Sequence, residues 1–223
     1  MNKAIVRYGK SLYEKNSILW VIACKIANRI TSKITGDSMI ENSLIKNSTV
    51  SAGDKSNSIK ISGGVIRNSR IVITGSNSSV IIGENCVMNY TDIILYGDNA
   101  HCFIGKNVTF NSFKTAGTGI NVSQNTTLSI GDDSLFSNSI GIYTTDFHKI
   151  MNSDGIQINM DESIQIGKKV WIGMKALILK GSKIPDGCVI GAGSLVAGEI
   201  KDKNSVVGGN PIRTLKYNVS WEK

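Results

Sequence analysis

Histidine and proline are almost missing from this chain, with two of each in 223 residues. Imidazole chemistry is therefore limited to His101 and His148. The four cysteines, Cys24, Cys86, Cys102 and Cys188, show no C-x-x-C pairing and no cluster that would hold zinc, so no metal is expected. They read as small buried hydrophobes in a reducing cytoplasm. No secretory signal ending in a small-residue cleavage site opens the sequence. The longest apolar stretch near the N-terminus, 18–24, is too short to span a bilayer. Aromatic residues make up only 6% of the chain and are not interleaved with its lysines, which argues against nucleic acid despite a net charge of +8. The basic excess is either a solvated surface or an attraction for an anionic, phosphate-bearing small molecule.

What is abundant is Ile, Val, Ser, Asn and Gly, a mix suited to short strands joined by tight turns. Ile166, Ile172, Ile178, Ile184, Ile190 and Val196 recur every six residues, and Gly167, Gly173, Pro185 and Gly191 follow four of them. A helix repeats at about 3.6 residues and a strand at about 2. A period of six belongs instead to a chain wound around a triangular prism, with one inward aliphatic residue per side. Upstream, the same spacing links Ile130, Phe136 and Ile142. It also links Ile82, Met88 and Ile94, then Ile104, Phe110 and Ala116, and finally Ile59, Val65 and Ile71. The register slips at about 95–103, 117–129 and 143–165, where loops are expected to leave the corners. The expected fold is all-β, a parallel β-helix with an N-terminal helix.

Three segments follow from this pattern. Residues 1–57 form a helical and weakly regular leading segment, 58–211 the β-helix with its loop at 143–165, and 212–223 a C-terminal tail. Residues 8–30 have a cationic helical pattern that includes Leu12, Ile22, Cys24 and Ile26, with Lys10, Lys15, Lys25 and Arg29. Such a helix would either cap the apolar end of the solenoid or make subunit contacts, or else rest on an anionic inner-membrane surface through Trp20.

His148 lies in "YTTDFHKI", at the mouth of the longest slip. An imidazole that titrates near neutrality can take a proton from a hydroxyl and return it later. Asp146 is two residues away and would share its side in an extended segment, either orienting the ring or binding an acceptor. His101 reads as a corner or face residue without chemical duty. Trp171 is either a surface aromatic or a wall beside an acyl donor, its indole N–H offering one hydrogen bond. Gly191, Ala192, Gly193 and Ser194 make a corner of small residues, by turn geometry alone or to admit an elongated ligand. Arg213 and Lys216 follow Asn210-Pro211 and could meet phosphates. Gln157 and Asn159, in "GIQINM", would line an acceptor site.

The run "IQIGKKVWIGMKALILKGSKIPDGCVIGAGSLVAGEI…NSVVGGNPIRTLK" resembles the hexapeptide-repeat acyltransferases, which have a left-handed parallel β-helix. Within them it is most similar to sugar O-acetyltransferases of bacterial surface polysaccharides. The ordered set D-x-H, V-W-I-G, G-A-G-S, G-N-P carries the resemblance, with Ile212 where alanine is usual after the proline. The resemblance implies His148 as catalytic base and Trp171 beside the donor thioester. It also implies Gly173, Ala192 and Ser194 along coenzyme A, and Arg213 and Lys216 at its phosphates. Such enzymes are homotrimers with active sites between subunits, and acetyl-CoA is the co-substrate.

The expected reaction is direct acetyl transfer to a hydroxyl of a surface saccharide (capsule, O-antigen or exopolysaccharide), with a backbone amide or the Trp171 indole at the oxyanion. One alternative is N-acetylation of an amino sugar or nucleotide-amino sugar. Another is a β-helical scaffold without catalysis.

Overall fold

The computed structural model describes residues 18–223. The part of the expected helix before Ile18, with Lys10, Leu12 and Lys15, lies outside the described residues. From Lys33 onward the chain winds through about seven turns of a left-handed parallel β-helix.

Three columns of side chains fill the prism. One column stacks Ile34, Val50, Ile71, Ile93, Ile120, Ile142, Ile178 and Val196 in register. A second stacks Ile40, Ile61, Ile82, Ile104, Ile130, Ile166 and Ile184. The third runs Ile45, Ile66, Met88, Phe110, Phe136, Ile172, Ile190 and Val207. All are buried except Ile34 and Ile40, which lie at the open first coil and are half-buried. β-Branched side chains fit a pleated stack of this kind. Each one removed from water contributes about 1.5–3 kcal/mol. Phe110 and Phe136 stack at 4.4 Å between ring centroids, where one coil meets the next.

The corners explain the asparagines. Asn77, Asn99 and Asn125 occupy the same corner of successive coils at φ of 51°, 56° and 55°. Asparagine tolerates this left-handed region better than most residues. The Asn99 amide also donates to Asn125 Oδ1 at 3.0 Å, tying one coil to the next.

Four expectations are corrected. Ile94 faces outward and is half-buried, and Ile93 and Leu95 take the inward places. Tyr90, at φ 47°, shortens the step after Met88 to five residues and so inverts the alternation. Val65 also faces outward, with Ile66 inside, because Gly63 and Gly64 turn that corner with both residues buried. Ala116 belongs to a small turn bridged to Phe113, and Ile120 fills the column instead. Finally, the solenoid begins before residue 58. Strands Lys33–Thr35, Ser38–Lys46 and Thr49–Ser51 already stack on the next coil, with Lys33 and Glu41 exposed.

Helix α1, Ile18–Thr31, packs on this first coil. The buried Asn28 side chain donates to Ser43 O at 3.0 Å and accepts from Ile45 N at 2.7 Å, satisfying strand groups at the open end. Ile22, Ile26 and Ile30 form an exposed stripe on the helix. No helix among the described residues is long and apolar enough to cross a membrane. At the other end, strand Arg213–Lys216 folds back antiparallel on Val206–Gly208. All four cysteines are buried and free, as the sequence suggested.

Candidate functional site

Successive coils widen at one corner, and the site is built there. Eleven residues separate Ile71 from Ile82, and eleven separate Ile93 from Ile104, where a minimal side uses six. In the sixth coil this corner grows into the excursion 144–163, between strands Gly141–Tyr143 and Ile164–Ile166. The excursion is a small hairpin. Ile158 N donates to Ile150 O at 2.9 Å, Asn152 N donates to Ile156 O at 2.9 Å, and Met151 bridges Gln157.

His148 stands at the root of this hairpin. Thr144 and Thr145 are buried beneath it: the Thr144 hydroxyl accepts from Ser123 N at 2.9 Å, and the Thr145 hydroxyl accepts from Phe147 N at 3.0 Å. Phe147 then takes φ 63°, and His148 N donates to Asp146 O at 2.8 Å. The expectation of an extended D-x-H segment is thus corrected. Residues 146–148 make a tight turn, and the Asp146 carboxylate is engaged away from the imidazole. Its Oδ2 accepts from Lys180 Nζ at 2.5 Å and from Asn159 Nδ2 at 2.9 Å. Lys180 and then Asn159 hold this carboxyl below the ordinary carboxylate range.

Asn159 uses its whole side chain inside the hairpin. Besides Asp146, its amide donates to His148 O at 2.8 Å and its carbonyl accepts from Ile150 N at 2.7 Å. Gln157 reaches Asn159 O at 3.4 Å and also lines the cleft described next.

His148 is exposed and lines an open cleft of about 360 Å³ at the widened corner. Tyr96 and Gly97 come from the fourth coil, Ser123, Gln124 and Asn125 from the fifth, and Phe147, Lys149 and Asp161 from the excursion. Asp161 Oδ2 accepts from Ser123 Oγ. The Tyr96 ring stacks on Phe147 at 6.1 Å, and its hydroxyl is buried without a hydrogen-bond partner among the described residues. Burial, with the Asp161 charge second, pushes the Tyr96 phenol up to about 12, so it stays protonated.

The residues expected along the donor lie elsewhere. Trp171 is on the face carrying Phe136, Ile172 and Ile190, and its indole N–H donates to Ser137 Oγ at 3.4 Å. It is 38% exposed, with Trp221 at 6.0 Å. Gly173 is buried beneath the next coil, where a Cβ would approach Ala192 N to 2.7 Å. Ala192 itself is exposed. Ser194 is buried, and its hydroxyl accepts from Gly209 N at 3.1 Å. Arg213 and Lys216 are exposed on the antiparallel strand. None of these six residues lines the His148 cleft. Within one chain they sit at or beside a different corner, a full prism face away. His101 is a face residue, its Nδ1 within 2.9 Å of Ser79 Oγ.

Sequence reasoning missed Tyr96, Ser123, Asp161 and Lys180. The slips at 95–103 and 117–129 marked the coils that supply Tyr96 and Ser123 to this cleft, but nothing in the local pattern marked Lys180.

The sequence profile described as "Bacterial transferase hexapeptide (six repeats)" matches residues 163–198. Polysialic acid O-acetyltransferase of Neisseria meningitidis is 31% identical over 143 residues, covering 56% of this chain and 66% of the relative. Chloramphenicol acetyltransferase of Escherichia coli is 43% identical over 58 residues, covering 26% of this chain and 27% of the relative. The chain thus spans about a quarter to two thirds of the curated relatives it matches. Among solved structures, the polySia-specific acetyltransferase NeuO superimposes with a TM-score of 0.70 at 23% identity, over 86% of this chain and 88% of that one. That likeness is one of fold.

Proposed function

We propose that this chain is a hexapeptide-repeat acyltransferase and that it moves an acetyl group from acetyl-CoA to a hydroxyl of a bacterial surface saccharide. The observation that carries this reading is His148, exposed on the wall of a cleft among groups able to hydrogen-bond a polyol. The relatives named for acetyl transfer support it, one of them an O-acetyltransferase of a polysaccharide.

In the proposed mechanism the acceptor hydroxyl loses its proton to the neutral His148 imidazole as its oxygen bonds to the thioester carbonyl carbon. A backbone amide or the Trp171 indole N–H stabilises the oxyanion. The carbon–sulfur bond then breaks, and the imidazolium protonates the departing thiolate, which restores the base and releases coenzyme A. No covalent acyl-enzyme is needed, since no serine or cysteine is hydrogen-bonded to the His148 ring among the described residues. Asp146, Gln157 and Asn159 were the expected acceptor contacts. Of these, Gln157 lines the cleft, and the other two are engaged within the hairpin.

Coenzyme A would run past Trp171, Gly173 and Ala192, near Ser194, with Arg213 and Lys216 at its phosphates. One chain keeps that corner apart from His148, so the proposal includes a homotrimer in which neighbouring prisms bring the two together. Thiol release from acetyl-CoA, measured with candidate sugars, tests the reading. Release that depends on a hydroxyl-only saccharide is expected. A strict need for a free amine would indicate N-acetylation instead, and no turnover together with no coenzyme A binding would indicate a scaffold.

A further inference from the structure

We propose that Lys180, Asp146 and Asn159 are positioning residues that fix His148 by bracing the root of the hairpin, so that Asp146 neither binds the acceptor nor orients the imidazole directly. The inference rests on the reading of His148 as the base.

The bonds support this role for each member. Lys180 comes from the strand edge after Leu177–Leu179, one coil beyond the excursion. Its side chain is 15% exposed, and its ammonium reaches both ends of the loop. It donates to Asp146 Oδ2 at 2.5 Å on the outgoing limb and to Met160 O at 3.0 Å on the returning limb. Asn159 then ties the limbs a second time, through Asp146 Oδ2, His148 O and Ile150 N. His148 is therefore held by its backbone from two sides.

The brace matters because the hairpin has little else to hold it. Ile150, Met151, Ile156, Ile158 and Met160 are all at least half exposed, so burial contributes little to its placement. Phe147, at φ 63°, sits in a region that an aromatic residue rarely adopts, and such a conformation persists when its surroundings impose it. Lysine suits the task because one ammonium has three donors, two of which are used here. A general base must stay within hydrogen-bond reach of the proton it takes, and a displacement of about 1 Å can cost about a hundredfold in rate.

The test compares Lys180→Met, Lys180→Arg and Asp146→Asn in the full chain, with two separate readouts. Hydrogen exchange over residues 146–160 needs no substrate. Lys180→Met is expected to speed it about tenfold while the coils 166–196 stay unchanged, and Lys180→Arg to restore most of the protection. With acetyl-CoA and an acceptor supporting thiol release by the wild-type chain, kcat should fall about 10- to 100-fold in Lys180→Met. The KM for acetyl-CoA should hold within about twofold. Unchanged exchange overturns the brace. Faster exchange with unchanged kcat overturns the positioning role and leaves the transferase reading intact. Faster exchange in a chain that transfers nothing upholds the brace and removes the transferase reading instead.

Discussion

Phe147 lies over Tyr96 with ring centroids 6.1 Å apart and planes inclined by 18°, roofing a phenol whose hydroxyl is buried and unpaired among the described residues. Thr145 approaches that hydroxyl, but its own oxygen accepts from Phe147 N, and no bond of proper geometry forms between the two side chains. A buried hydroxyl without a partner loses its hydration and gains nothing in exchange. Tyr96→Phe keeps the stacked ring and removes the orphan oxygen. Thermal unfolding of this variant is expected at or slightly above the wild-type midpoint, a gain of about 0–1 kcal/mol. A clear drop would mean that the hydroxyl has a partner in solution.

The Asp146 brace gives a pH dependence of definite sign. Lys180 and Asn159 lower the folded-state pKa of Asp146, so the folded chain binds that proton less readily than the unfolded one. The stabilisation is fully present above the unfolded value of about 4. It is lost as pH falls through the lower folded value. The carboxyl-carbon resonance of Asp146 should therefore stay at its ionised position from neutral pH down to about 4 and shift below it. In Asp146→Asn that transition should be missing.

Gly64 tests the corner that reverses the alternation. It has φ 146°, and a Cβ there would collide with the carbonyl oxygen of Cys86 in the next coil. Gly64→Ala therefore combines a strained backbone with a clash against a fixed group, at a cost of about 2–4 kcal/mol. Denaturant unfolding of Gly64→Ala against Gly155→Ala separates the two effects. Gly155 also has positive φ, at 75°, but an added Cβ would meet no heavy atom within 4 Å, so the smaller loss is expected there.

The cysteines should be chemically silent in the folded chain. Burial pushes Cys86 up to about 11 and Cys102 up to about 12, so neither supplies thiolate near neutral pH. Thiol labelling at pH 8 is expected to reach these two residues only after denaturant is added. Rapid labelling of Cys102 in the native protein would contradict its buried place inside the prism.

The sequence reveals the prism best where coils are shortest. From Ile166 to Val196 each side uses six residues, and all six anchors are buried. It reveals less where corners vary in length. Val65 and Ile94 keep the spacing yet face outward, because a strand alternates every residue and one residue gained or lost at a corner reverses its faces. His148 was legible as a candidate from its place before the regular coils. Lys180 and Tyr96 were not, because each lies on a different coil from His148 and meets the site only through the winding. The local D-x-H spacing also gave no sign that Asp146 pairs with a lysine 34 residues away.

The most direct test of the central claim is kcat for His148→Ala with acetyl-CoA and a confirmed saccharide acceptor, read by free thiol. Loss of the base should reduce kcat about 10²- to 10⁴-fold, with acetyl-CoA binding retained. Near-normal transfer by His148→Ala would contradict the assignment of this imidazole as the base.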